Sequence, residues 1–486
     1  MSNLFILIIA AGYFSLLLFF SKVIGGKSDN DTFFRGNRRS PWWAVAFGMI
    51  GASISGVTFV SVPGMVQNMQ MTYLQTCMGF LFGYAFVALV LLPVYYKLNL
   101  TSIYTYLDSR FGQNRYRTGA LFFFVSKLIG ASIRLYVVCL ILQNFLLDEL
   151  SVDFSLTTFV VLFLIWLYTR KSGIKTLVWS DCLQTLVLLS ALVLILVQLC
   201  TEMNLTFNTC MQAIADSPMS RVFVFDDVAD KQYFWKQFIS GIFIVIVMTG
   251  LDLDMMQKNL TCKTLRQSQL NMCVNGLMYL PINFLFLCLG VLLYQFVAST
   301  GFPIPNSSDE LLPALCSSGA LGKPAMLLFT LGLVAAAFSS ADSALTSLTT
   351  CVCVDILQKP SDVRLRQMVH PCIAVCFFLL ILLVRALNST SVIDAVYMVC
   401  GFTYGPLLGL FAFGFLTKRK PNEKWVPFIC ILSPLLCYAT DQAALHFYSY
   451  RFGYELLMLN GLLTFMGLLL SSAKFCTNNT CGNGHV

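Results

Sequence analysis

The chain has 486 residues, of which 57% are hydrophobic and only 11% charged, where a soluble domain carries about a quarter charged residues. Apolar runs of about 20 residues recur from end to end, each long enough to cross a bilayer as a helix, so a soluble globular protein is excluded. The net charge of +8 is confined to loops between those runs, where it faces anionic lipid; this removes a nucleic-acid partner.

Thirteen spans are predicted. The first, 3–20, has no basic residue before it and no small-x-small cleavage site after it, and is read as a retained helix rather than a signal peptide. The second, 42–65, is interrupted: Gly48, Gly51, Gly56, Pro63 and Gly64 lie among Ser53, Ser55, Thr58 and Ser61. Glycine and proline weaken the helix ladder. An unwound backbone at membrane depth survives only where it lines a cavity or holds an ion; small residues also serve close helix packing. Spans 73–96 and 116–145 follow, the latter carrying Lys127 and Arg134 seven residues apart on one helix face. Arg134, near mid-membrane, is a candidate for holding an anionic group of a solute; pairing with a buried carboxylate is the structural alternative.

Spans 154–169 and 176–200 come next, with Asp181 near the start of the second. The polar stretch Glu202 to Gln232 is too short to carry its own core. Span 233–252 ends on Asp252, with Asp254 just beyond. Span 269–298 is uninterrupted by charge. Span 322–355 carries Ser339, Ser340, Ser343 and Thr346 at helical spacing around Asp342. A carboxylate there is expensive and marks a functional site, and hydroxyl, carbonyl and carboxylate oxygens suit a hard cation such as sodium. Spans 369–384, 391–416, 425–444 and 453–471 complete the set.

Orientation follows from Lys and Arg. One set of alternate loops holds 23 of the 31, Lys258 and Lys418 to Lys424 among them. The other holds five, namely Arg221, Lys231, Lys323, Arg385 and Arg451, and Lys127, Arg134 and Lys236 lie inside spans. The N-terminus is therefore expected outside and the C-terminus inside, in a multi-pass protein of the plasma (inner) membrane. The 18 cysteines form no CxxC pair, and His370, His446 and His485 lie far apart, which suggests no metal centre. No GxGD or HExxH motif supports a membrane-embedded enzyme. A transporter-like sensor is the alternative to a carrier.

Four stretches carry a resemblance: FFRGNRRSPWW (Phe33 to Trp43) leading into GASISGVTF, GIKTLVWSDCLQ (Gly173 to Gln184), DMMQKNLTCK (Asp254 to Lys263), and AAAFSSADSALTSL from Ala335. In that order the chain resembles the sodium/solute symporter family, which includes sodium–galactose and sodium–sialic acid transporters. The resemblance implies an all-α fold similar to LeuT, with two inverted five-helix repeats around a midplane site. Residues 42–200 would be the first repeat and 233–416 the second, with 3–20 before them and 425–471 after. It implies sodium as the coupling ion and no other cofactor, with a small polar solute (a sugar, sialic acid or another carboxylate) as cargo and lipid as surroundings. A sodium site would use the carbonyls of Gly51, Ile54 and Ala336 and the hydroxyls of Ser339 and Ser340. A second cation site would use Asp181, Ser339, Asp342 and Ser343, where a full carboxylate at Asp342 departs from the hydroxyl of relatives. Ser55 and Thr58 fall where relatives contact sugar, while Val57 is apolar where some sugar transporters are polar.

Overall fold

The sequence pattern demands that backbone polar groups be satisfied within each segment, and the computed structural model is all-helical among its described residues, apart from one isolated bridge between Ser40 and Cys262. It describes residues 3–24, 29–387 except 99, 101, 148–150, 171 and 172, and 392–472 except 449 and 451. Lys27, Lys171, Arg451, Lys474 and His485 lie outside the described residues.

The helices are α1 (Asn3–Ile24), a short α2 (Asn30–Arg35), α3 (Trp42–Ser53), α4 (Gly56–Met69), α5 (Tyr73–Phe86) joined by a π-helical turn to α6 (Leu92–Lys97), and α7 (Thr105–Phe111). Then come α8 (Gln113–Leu142), α9 (Phe154–Thr169), α10 (Ile174–Glu202), α11 (Phe207–Ala215), α12 (Phe234–Val245) with a π-helical turn to Gly250, and α13 (Leu253–Asn259). The remainder are α14 (Leu265–Thr300), α15 (Leu311–Ser317), α16 (Lys323–Thr350), α17 (Val363–Leu387), α18 (Val392–Leu416), α19 (Val426–Tyr448) and α20 (Leu456–Ser471). Each of the thirteen predicted stretches falls on a helix or a bent helix pair. Among the described residues, seven helices are long and apolar enough to cross a membrane, nine if each bent pair is one span, and four shorter apolar helices accompany them.

Two bends organise the core. The axis turns by 55° between α3 and α4 and by 68° between the α12 segment and α13. The first was expected from the glycines. The second was not, because its signal is a capping residue rather than a glycine run: Asp252 leaves the helix and its side chain accepts the amide of Asp254, starting α13. The serine-bearing span is one continuous helix, α16.

At the first bend the backbone unwinds at Ile54 and Ser55, and the flanking glycines serve close packing. Ile54 (φ −90°, ψ 93°) and Ser55 (φ −78°, ψ 167°) form the break. Gly48 and Gly51 sit inside α3, where a Cβ would strike Asp181 and Thr185 of α10, and Gly56 abuts Val138 of α8 and the Ala337 amide of α16. Missing side chains thus bring the broken helix against the three helices that carry the candidate residues.

Candidate functional site

The break presents oxygen. Ser55 caps α4, its Oγ accepting the Thr58 amide at 3.4 Å and lying 3.5 Å from the Thr58 hydroxyl. Because Ile54 and Ser55 are extended, among the described residues no backbone amide closes back onto the carbonyls of Gly51 or Ile54. Two of the three expected carbonyl ligands therefore accept no backbone amide among the described residues, and neighbouring Gly56 lies against the Ala337 amide of α16. On α16, the Ser340 Oγ is buried with no hydrogen-bond partner. Ser339 donates to Asp181 Oδ1 at 2.7 Å, which leaves its lone pairs available.

Beside the break lies a cavity of about 740 Å³, its open mouth included, lined by Ser53, Ser55, Thr58, Lys127, Arg134 and Asp252 together with Tyr84, Tyr279 and apolar side chains. The three expected solute contacts, Ser55, Thr58 and Arg134, thus share one wall system although they come from α4 and α8. Lys127 is engaged, 2.8 Å from Asp254 and 3.0 Å from Asp252, which also accepts the Tyr404 hydroxyl at 2.9 Å and the Asp254 amide at 2.9 Å. Arg134 is half-buried and has no hydrogen bond or ion pair among the described residues. Lys127 thus pairs directly with carboxylates, while Arg134 reaches Asp254 only through its field.

Asp181 and Asp342 are both fully buried. Asp342 accepts from the Tyr168 hydroxyl at 2.5 Å and from Ser343 at 3.1 Å, and no cation lies within ion-pair distance among the described residues. Asp181 pairs at 2.8 Å with Lys258, itself 1% exposed. This corrects the sequence reading twice. Lys258 is not a loop cation but a buried one on α13. It, rather than Lys127 or Arg134, is the positive charge that balances Asp181. Four buried carboxylates (Asp181, Asp252, Asp254, Asp342) meet two buried lysines, with half-buried Arg134 in the field of Asp254, so the cluster retains one more negative charge than positive, which a bound cation or a proton must offset.

Sequence reasoning also missed Tyr13 of α1, whose buried hydroxyl lacks a hydrogen-bond partner and lies in the field of Asp342 and Asp181. The helix expected to stand outside the repeats touches the carboxylate cluster. Tyr168 and Tyr404 were missed likewise, since a tyrosine in an apolar run carries no signal of its own.

The sequence profile of the sodium:solute symporter family matches residues 33–424. Over 429 residues the chain is 26% identical to the human sodium/iodide cotransporter, an alignment covering 83% of this chain and 65% of that protein, so it spans less than two thirds of that relative's length. It is 24% identical to the sodium/sialic acid symporters of Aliivibrio fischeri, covering 80% of this chain and 78% of that one, and of Proteus mirabilis, covering 84% of each. Its fold is similar to a solved Na+-coupled sialic acid symporter in a substrate-bound outward-open state, with a TM-score of 0.81 at 20% identity over 96% of this chain and 97% of that one. A nucleobase–cation symport-1 family transporter in a closed conformation matches with a TM-score of 0.58 at 13% identity, over 91% and 94%.

Proposed function

The chain belongs to the sodium:solute symporter family, and on that premise we propose that it couples sodium entry to uptake of a small polar solute bearing a carboxylate or similar anionic group. The observation that carries the anionic choice is Arg134. A half-buried guanidinium on a cavity wall, unpaired while its neighbour Lys127 is paired twice, is costly unless an anion visits it. Ser55 and Thr58 then offer hydroxyls to the solute's polar groups. Cargo of this charge agrees with the names of the relatives, which carry iodide or sialic acid.

Sodium binds where the break in α3–α4 faces α16, using the carbonyls of Gly51, Ile54 and Ala336 and the hydroxyls of Ser339 and Ser340. The carbonyls of Gly51 and Ile54, which accept no backbone amide among the described residues, and the unpartnered Ser340 Oγ support this placement. A second cation sits at Asp342 with Ser343, Ser339 and the outer oxygen shell of Asp181, and the negative excess of the cluster supports it. Thirteen spans cross the plasma membrane with the N-terminus outside, and 42–200 and 233–416 form inverted repeats. The two bends support that division, since each falls in the first span of its repeat. Alternating access then follows from rocking of one bundle against the other around the fixed site.

The test is uptake into proteoliposomes under an inward sodium gradient, offered sialic acid, short monocarboxylates and neutral sugars. Sodium-dependent accumulation of at least one carboxylated solute, abolished when potassium replaces sodium, is the expected result. Accumulation of neutral sugars alone would overturn the anionic assignment; sodium-independent uptake would overturn the coupling.

A further inference from the structure

At the end of α10 the chain turns back on itself in a closed, hydrogen-bonded corner. Met203 N bonds to Leu199 O at 3.0 Å, Asn204 N to Thr201 O at 3.0 Å and Leu205 N to Cys200 O at 2.8 Å, and Asn204 takes the left-handed conformation (φ 53°). Thr206 and Thr209 then cap α11 reciprocally, and Cys210 N bonds to Thr206 O at 2.8 Å. This corner points two side chains at each other. The Cys200 thiol donates to the Cys210 sulfur at 3.3 Å. Disulfide sulfurs stand about 2.05 Å apart, so closure asks the two sulfurs to approach by roughly 1 Å.

We propose that Cys200 and Cys210 form a disulfide that clips α11 to the end of α10. The proposal rests on the orientation given above, which puts residues 202–232 on the outer, oxidising side of the membrane. The reaction is thiol–disulfide exchange with a disulfide-carrying oxidoreductase of the export route. Half-buried Cys200, the more accessible of the two, attacks the donor disulfide as its thiolate and forms a mixed disulfide. The Cys210 thiolate then displaces the donor's sulfur. The two protons the cysteines lose are taken up by the donor's two sulfurs, so the donor disulfide leaves as a dithiol, reduced by the two electrons the cysteines give up.

The bond fastens more than one turn. Gln295 of α14 donates to Ala213 O at 2.7 Å, and the segment after α11 is laced to the α4–α5 corner by Gln70 to Pro218 O at 3.2 Å and Met71 N to Arg221 O at 3.1 Å. A covalent clip at Cys200 therefore ties this outer cap, which spans both repeats, to the helix that bears Asp181.

The experiment uses the full chain, taken from membranes without reductant, denatured in an alkylating agent and cleaved with chymotrypsin. Cleavage after Leu205 or Phe207 leaves two peptides that stay joined only by the bond. A joined Cys200–Cys210 pair that separates on reduction, with neither thiol alkylated beforehand, is the expected result. Alkylation of both, or a Cys210 linked to its neighbour Cys288 of α14, overturns the proposal. In Cys200→Ser the Cys210 thiol should become alkylatable. A Val228→Cys reporter at an exposed position of the same segment is labelled in parallel by an impermeant maleimide on intact cells. Labelled reporter with free Cys200 and Cys210 defeats the disulfide while the orientation stands. Unlabelled reporter with free thiols defeats both.

Discussion

In the proposed mechanism Arg134 gains a direct anionic partner when the cavity is filled, so its removal should be felt by the solute and not by sodium. A hydrogen bond to a charged group contributes about 1.5–3 kcal/mol, which corresponds to a rise in half-saturating solute of roughly 10- to 100-fold. Arg134→Ala should show that rise in proteoliposome uptake with the half-saturating sodium concentration unchanged. Arg134→Lys should recover part of it, since a point charge replaces a planar fork. Equal loss for charged and neutral solutes would mean that the guanidinium braces α8 instead.

The two sodium positions make different demands. Ser340 supplies one neutral oxygen among several, and deleting one such contact costs about 1 kcal/mol, so Ser340→Ala should raise half-saturating sodium roughly fivefold with the same Hill coefficient. In the proposed second site Asp342 supplies a charge that makes no ion pair among the described residues. Asp342→Asn keeps the shape and removes that charge, so it should lower the Hill coefficient or cut the sodium:solute ratio by one while the first site still binds. Flux ratios measured with radiolabelled sodium and solute decide this; unaltered stoichiometry in a folded variant would make Asp342 a structural partner of Tyr168. Arg134, Asp181, Asp342 and the serines were legible because polar groups are rare and costly at membrane depth. Lys258 was not. It lies four residues from Asp254 next to the basic residues of a loop, and only the turn at Asp252, set by a side-chain cap, carries it back into the core.

At the scale of helices, the elements were readable from apolar run lengths because a bilayer fixes how long a run must be. Which glycines unwind the backbone and which merely let helices touch was not readable, since both uses select the same residue. The packing gives a sharp contrast. A Cβ on Gly79 of α5 would drive into the Phe238 carbonyl of α12, and backbone cannot yield as a side chain can; a Cβ on Gly130 of α8 meets nothing within 4 Å. Gly79→Ala should cost about 1–3 kcal/mol as overpacking does, seen as a lowered melting temperature in detergent. Gly130→Ala should be neutral or stabilise by up to about 1 kcal/mol, because alanine loses less chain entropy in a helix interior. Equal destabilisation by the two would show that the α5–α12 contact is loose in the membrane.

For the whole molecule, the direction of insertion is decided by charge, since a bundle packs equally well either way up. Lys and Arg near an anionic leaflet gain about 1 kcal/mol each, and 23 of the 31 lie in one set of loops against five in the other. Moving Lys258 into the core changes the bias by one residue and leaves its sign intact. The segments at stake differ in character as well: 202–232 carries five acidic residues with Arg221 and Lys231, while 418–424 holds Lys418, Arg419, Lys420 and Lys424. With the thirteen proposed spans the second bent pair comes five spans after the first, with four between them, so the bends would enter the membrane from opposite sides, as inversion requires. A span missed between the two bent pairs would break both the charge alternation and this inversion at once. A cysteine at exposed Glu423 should therefore stay dark to an impermeant maleimide on intact cells and label only after permeabilisation, while one at exposed Val228 should label directly. Labelling of the Glu423 position on intact cells would invert the molecule, place the acidic segment in the cytoplasm and remove the outward orientation on which solute uptake depends.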